Sequence, residues 1–140
     1  MRRLVLALAA LVLLATPAAA EHEVQFRYTV IGYVKDARGQ PLPGQTVELV
    51  RDRTGFSYVA DTDAAGLYVV TARLADESSG ETLTLRFGRG RTRLVARFDP
   101  TNHADERGTR VDVEAGRFVE RAAWFRSTLA NLLGEGGRSR

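Results

Sequence analysis

VIGYVKDARGQPLPGQTVELV, residues 30–50, followed by TDAAGLYVV, residues 62–70, decides how this chain is read. Two stretches of alternating apolar residues flank a connection built from Gly39, Pro41, Pro43 and Gly44. Pro fixes φ and removes a donor, and Gly reaches positive φ, so this connection is a turn and not a helix. Upstream, Val24, Phe26, Tyr28, Val30, Gly32 and Val34 share one face of a strand, with Gln25, Arg27, Thr29 and Lys35 on the other. A period of two marks a strand with one buried face. Ile31 and Tyr33 interrupt the polar face, so part of it is expected to be covered as well.

The same period continues downstream. Val47 and Leu49 alternate in 46–51, residues 56–60 make a short strand, and the turn at 61–66 feeds an apolar strand from Leu67 to Leu74. Leu83, Leu85 and Phe87 alternate before a Gly88-Arg89-Gly90 hairpin turn, and Leu94, Ala96 and Phe98 alternate after it. Thr109, Val111 and Val113 close the series. Seven short strands separated by turn signals predict an all-β sandwich. No helical periodicity interrupts them, which argues against a βαβ architecture. From Phe118 the pattern changes: Phe118, Ala122, Phe125, Leu129 and Leu132 recur at three and four residues, the stripe of an amphipathic helix. Gly134, Gly136 and Gly137 are expected to end it.

The first twenty residues have the form of a secretory signal peptide. Arg2 and Arg3 precede twelve consecutive apolar residues, Pro17 breaks the run, and Ala18, Ala19 and Ala20 supply small residues for cleavage. The run is shorter than the roughly 20 residues of a membrane span. Cleavage after Ala20 predicts a secreted or periplasmic chain of one domain's size, with a sandwich over 21–115 and a helix with a basic tail over 116–140. Removing Arg2 and Arg3 brings the formal net charge from +3 to +1. The basic excess is therefore no argument for nucleic acid, and none is expected as partner. The chain has no Cys, which excludes disulfides, thiolate metal sites and thiol catalysis.

Residues 30–70 resemble the carboxypeptidase regulatory-like domain, a transthyretin-like Greek-key β-sandwich of seven strands. The resemblance rests on Gly32, then Asp36, Gly39, Pro41, Leu42, Pro43 and Gly44 in a D-x-x-G-x-P-L-P-G turn. Val47 and Leu49 follow as V-x-L, and Thr62, Asp63, Gly66 and Tyr68 as T-D-x-x-G-x-Y. It implies an accessory module credited with folding support or with protein and carbohydrate contacts. The family has no shared catalytic residues, so the resemblance implies no enzyme and no cofactor. Two related enzyme families fit poorly. Hydroxyisourate hydrolases need several histidines and a C-terminal Tyr-Arg-Gly-Ser, whereas this chain has two histidines and ends Gly-Arg-Ser-Arg. Intradiol dioxygenases hold iron through two Tyr and two His, for which the chain is short and shows no cluster.

Four places are candidates for contact or chemistry. Arg86, Arg89, Arg91, Arg93 and Arg97 fall on one predicted hairpin, with Arg86, Arg93 and Arg97 sharing its outer face and Arg89 and Arg91 near the turn. Such a stripe suits a phosphate-rich surface, anionic lipid or an acidic protein, or is a charged outer face paired with acids on neighbouring strands that also blunts a sheet edge. Trp124 and Phe125 on the tail helix are a candidate contact surface: Phe118, Phe125 and Leu129 are expected to pack on the sandwich or on a partner subunit, and Trp124 beside Arg121 and Arg126 suits peripheral contact with anionic membrane as the alternative. Asp99, Asn102, His103, Asp105 and Glu106 form the most polar loop, the place for a small metal-binding or hydrolytic site if there is one. No metal site is expected at Asp61, Asp63 and Gly66. A calcium loop needs six to eight oxygens and an acidic twelfth position, which is Ala72 here. Tyr33, Phe56 and Tyr58 would be the stacking platform of a carbohydrate-binding module. The first expectation is a module for protein binding or structural support.

Overall fold

The computed structural model describes residues 24–138. The expected signal peptide, its cleavage site and His22 lie outside the described residues. Two four-stranded sheets face each other as a sandwich. One has the order β4-β1-β7-β8 and the other β3-β2-β5-β6, with β1 Gln25–Lys35, β2 Thr46–Arg51, β3 Ser57–Asp61 and β4 Leu67–Ala75. The remaining strands are β5 Thr82–Phe87, β6 Gly90–Val95, β7 Arg107–Glu114 and β8 Arg117–Glu120. A short 3-10 turn at Ala122–Trp124 leads into helix α1, Phe125–Arg138.

The alternation read from the sequence places the core. Tyr28, Val30, Val34, Val47, Leu49, Tyr68, Val70, Leu83, Leu85, Leu94, Val111 and Val113 are buried together between the sheets. Burying each large aliphatic side chain contributes roughly 1.5–3 kcal/mol, which is what a domain without disulfides relies on.

The turn after β1 and the turn before β4 are each held by an aspartate. Asp36 Oδ1 accepts the N–H groups of Arg38 and Gln40 at 2.8 and 2.9 Å. Asp63 Oδ1 does the same for Ala65 and Leu67, at 2.9 Å each. Such turns use a side chain as a substitute for a backbone carbonyl. Gly66, at φ 77°, also lies so close to Val34 O that a Cβ there would sit 2.5 Å away.

Gly32 has a different role. β1 and β7 pair in parallel, but the register is interrupted between Ile31↔Arg110 and Val34↔Val113. A Cβ on Gly32 would fall 1.8 Å from Val111 O. In this gap two side chains replace the ladder: Tyr33 N–H donates to Asp112 Oδ1 at 2.9 Å, and the Tyr68 hydroxyl donates to Val111 O. Burial, and then the charge of Asp112, push the Tyr68 hydroxyl well above its ordinary pKa, so it stays a neutral donor.

Two expectations are corrected. There are eight strands, not seven, and the helix does not begin at Phe118. Residues 117–120 pair with β7 through a two-residue turn at Ala115 and Gly116, both at positive φ (52° and 76°), the geometry that matches hairpin twist. Phe118 packs on the sandwich core, and its ring lies against Gly90. The helix starts at Phe125 and runs through Gly134, Gly136 and Gly137 instead of ending there. It lies on the outer face of β1 and β7. That is why Ile31, which points away from the inter-sheet core, is fully buried.

Candidate functional site

The arginine hairpin is assembled by β5 and β6, joined through Gly88 and Arg89. Because β6 begins at Gly90, Arg91 sits directly opposite Arg86 on the outer face, and Arg93 sits opposite Thr84. Arg97 lies beyond the end of β6. The expected grouping is therefore corrected: Arg91 joins Arg86 and Arg93 on the sheet face, and Arg97 leaves it to line a cleft at the end of the sandwich.

Acids on β2 and in the turn after it partly compensate this face. Arg86 lies 3.5 Å from Glu48, and Arg93 lies 4.0 Å from Asp52, which also accepts from Thr84 at 2.6 Å. No carboxylate of the described residues lies within ion-pair distance of Arg89 or Arg91. Arg91 faces the like charge of Arg86, an arrangement that costs stability in a sheet.

At one end of the sandwich the loop between β6 and β7 closes over a layered cluster. His103 Nε2 and Asp76 Oδ2 are 2.8 Å apart, and the His103 ring stacks on Phe26 with centroids 4.4 Å apart. Arg107, the first residue of β7, donates through Nη2 to Asp76 Oδ1 at 3.0 Å, Asp99 O at 3.2 Å and Asn102 O at 3.0 Å. Its guanidinium lies 4.2 Å from the Phe98 ring centre and 4.9 Å from that of Phe26. Desolvation raises the Asp76 carboxyl, but the hydrogen bonds from His103 and Arg107 outweigh it and leave its pKa below the ordinary value. Asp99 is lowered by the hydroxyl and amide of Thr101.

The polar loop is thus a structured cap, held by residues that sequence spacing did not connect. Asp76 is far from His103 and Arg107 along the chain, and Arg107, expected in the loop before the last strand, is the first residue of β7. Among the described residues, no group of three or more His, Cys, Asp or Glu is placed to hold a metal ion.

A third cluster joins the helix to the sheet. Asp112 is buried, with Arg110 Nη2 at 3.0 Å from its Oδ2 and Arg121 bonded to the same oxygen. Arg121 also pairs with Glu114 at 2.8 Å. The Arg110 and Arg121 guanidinium groups lie 5.2 and 5.3 Å from Trp124, which is half exposed. Phe125 was expected on the contact surface together with Trp124. That part is corrected, and the expectation that Phe125 packs on the sandwich is the one the structure follows: Phe125 is buried, because Gly108 on β7 leaves the space its ring fills. No helix among the described residues is long and apolar enough to cross a membrane.

The aromatic platform is incomplete. Phe56 is exposed, but Tyr58 is tilted 58° from it and partly packed on the core, and Tyr33 lies on the other sheet beneath Arg110.

No family model matches the chain, and no curated protein matches it. A solved structure that does match is the dioxygenase domain of a dioxygenase–carbohydrate-binding protein fusion from the cellulolytic bacterium Streptomyces sp. SirexAA-E. It is 20% identical, with a TM-score of 0.42, over 67% of this chain and 82% of that one. The sequence reading expected no enzyme. With a dioxygenase domain among the solved structures that match, that exclusion is withdrawn. At this similarity the match assigns no reaction to the chain.

Proposed function

We propose that this chain is a secreted or periplasmic module of the carboxypeptidase regulatory-like type. It docks on an acidic protein surface through the outer face of the β3-β2-β5-β6 sheet. The observation that carries the reading is the cross-strand pair Arg86–Arg91, extended by Arg93 and by Arg89 in the turn. A sandwich gains nothing in stability from opposing like charges on its outer face, since they repel. They make sense where an anionic surface supplies the missing counter-charge and steers encounter. The family assignment is supported by the Asp36 and Asp63 turns and by Gly32 at its close approach to Val111.

β6 is also an edge strand, where charged residues discourage edge-to-edge pairing. The two roles separate experimentally. Backbone amide shifts of the purified protein titrated with poly-L-glutamate are expected to move at residues 84–93 and to revert with added salt. Shifts confined to other faces, or none, would leave the arginines as edge protection only. The helix contributes less to this reading, because Phe125 and Thr128 are turned to the sheet and buried.

A further inference from the structure

The edge of β6 offers main-chain groups as well as charge. Ala96, just past the strand, donates its N–H to Glu81 O at 2.8 Å. Main-chain groups alternate in direction along a strand. Gly90, Thr92 and Leu94 therefore turn theirs to β5, and Arg91, Arg93 and Val95 turn theirs outward. β6 pairs with β5 alone, and no other hydrogen bond of the described residues reaches the main chain of these three. All three are exposed. A row of unpaired N–H and C=O groups is a template for another strand.

The side chains select which strand. Arg91 and Arg93 stand about 7 Å apart on the outer face, the spacing of alternate strand residues. The acids of this face lie inboard of β5: Glu48 on β2, 3.5 Å from Arg86, and Asp52 beyond β2, 4.0 Å from Arg93. β8, the edge strand of the facing sheet, carries one acid, Glu120, which accepts from Thr109 at 2.8 Å. A second copy of β6 laid on this edge would set arginine beside arginine, which repel. A strand with carboxylates at alternate positions repeats at the arginine spacing and brings opposite charge to each. A helix does not present residues two apart on one face.

We infer that β6 takes an acidic protein segment in extended conformation as a fifth strand of the β3-β2-β5-β6 sheet. Its main chain bonds to Arg91, Arg93 and Val95, and its alternate carboxylates meet Arg91 and Arg93. The inference rests on the acidic-docking reading of the arginine face and narrows it from an acidic surface to an acidic strand.

The test uses two short threonine-rich peptides on the purified protein at low salt, each with two glutamates, two positions apart in one and adjacent in the other. Poly-L-glutamate runs in parallel. The first peptide is expected to bind about twofold to fivefold more tightly, the worth of one more cross-strand ion pair. At saturation, hydrogen exchange at the amides of Arg91, Arg93 and Val95 should slow at least about tenfold. Two further forms of that peptide are N-methylated at one or the other set of alternate amides, with charge unchanged. One form should lose binding, since only one set faces β6. Val95→Pro keeps every arginine and removes an outward N–H, a change an edge strand tolerates, and should weaken the peptide; the methylated peptides decide the matter if this variant does not fold. Strand addition is overturned if the three amides do not slow in a saturated complex, or if neither methylation weakens binding, while the docking face would still stand. No binding of either peptide or of poly-L-glutamate would remove the docking face itself.

Discussion

The ring of Phe125 occupies the space that a side chain at residue 108 would need: a Cβ on Gly108 would lie 2.6 Å from Phe125 Cζ and 2.0 Å from Thr29 O. This contact keys the helix into β7. It makes the C-terminal segment part of the fold, not an appendage.

Phe125→Ala is therefore expected to cost about 3–5 kcal/mol, as for other buried Phe truncations, seen as a lower denaturant midpoint. Ending the chain at Ala115 removes β8 as well, and uncovers Phe118's site on the core and the outer face around Ile31. That truncated chain is expected to lose cooperative thermal unfolding by circular dichroism. A normal melt would mean that the helix and β8 are dispensable.

Gly32→Ala tests the gap in the β1–β7 ladder. The added Cβ meets backbone, Val111 O, which cannot rotate away, and it crowds the Tyr68 ring at 3.1 Å. Overpacking of this kind costs about 1–3 kcal/mol or more. Gly39→Ala, at φ 75° in open space, should cost about 1 kcal/mol from backbone strain alone. Chemical denaturation of the two variants should preserve that order.

Asp112 predicts an acid limb to stability. Burial raises its carboxyl, but hydrogen bonds from Arg110, the Tyr33 amide and Arg121 outweigh burial and hold its pKa below the ordinary range. A group depressed in the folded state contributes stability above its unfolded value of about 3.9, and that contribution is lost as pH falls through the folded value. Asp112→Asn should cost about 3 kcal/mol or more at neutral pH, since it leaves Arg110 without a carboxylate partner and Arg121 with Glu114 alone. It should also flatten the loss of stability below about pH 4. An unchanged acid limb would assign it to other carboxylates.

Much of the sandwich was legible because alternation is a local signal. Val47 and Leu49, Leu83 and Leu85, and Leu94 and Ala96 all point inward as their spacing required. β8 was not legible for a physical reason. A four-residue strand carries too few alternations to outweigh the spacing of Phe118, Ala122 and Phe125, which also fits a helix. The Ala115-Gly116 turn was the signal that could have exposed it. The arginine hairpin was visible as a cluster, but its grouping depended on where β6 begins and ends: the strand starts at Gly90, which brings Arg91 onto the face beside Arg93, and stops at Val95, short of Arg97. The Asp76–His103–Arg107 cluster joins separate turns and strands, so no spacing rule reaches it.

The central claim is that Arg86, Arg89, Arg91 and Arg93 form a docking face for an acidic protein surface. The most direct measurement is the affinity of fluorescent poly-L-glutamate for the purified protein and for Arg91→Glu/Arg93→Glu, across a salt series, with anionic vesicles in a parallel arm. The account predicts salt-sensitive binding to poly-L-glutamate, at least about tenfold weaker in the double variant, with cooperative unfolding retained. Equal binding by both proteins, or binding to vesicles but not to poly-L-glutamate, would contradict it.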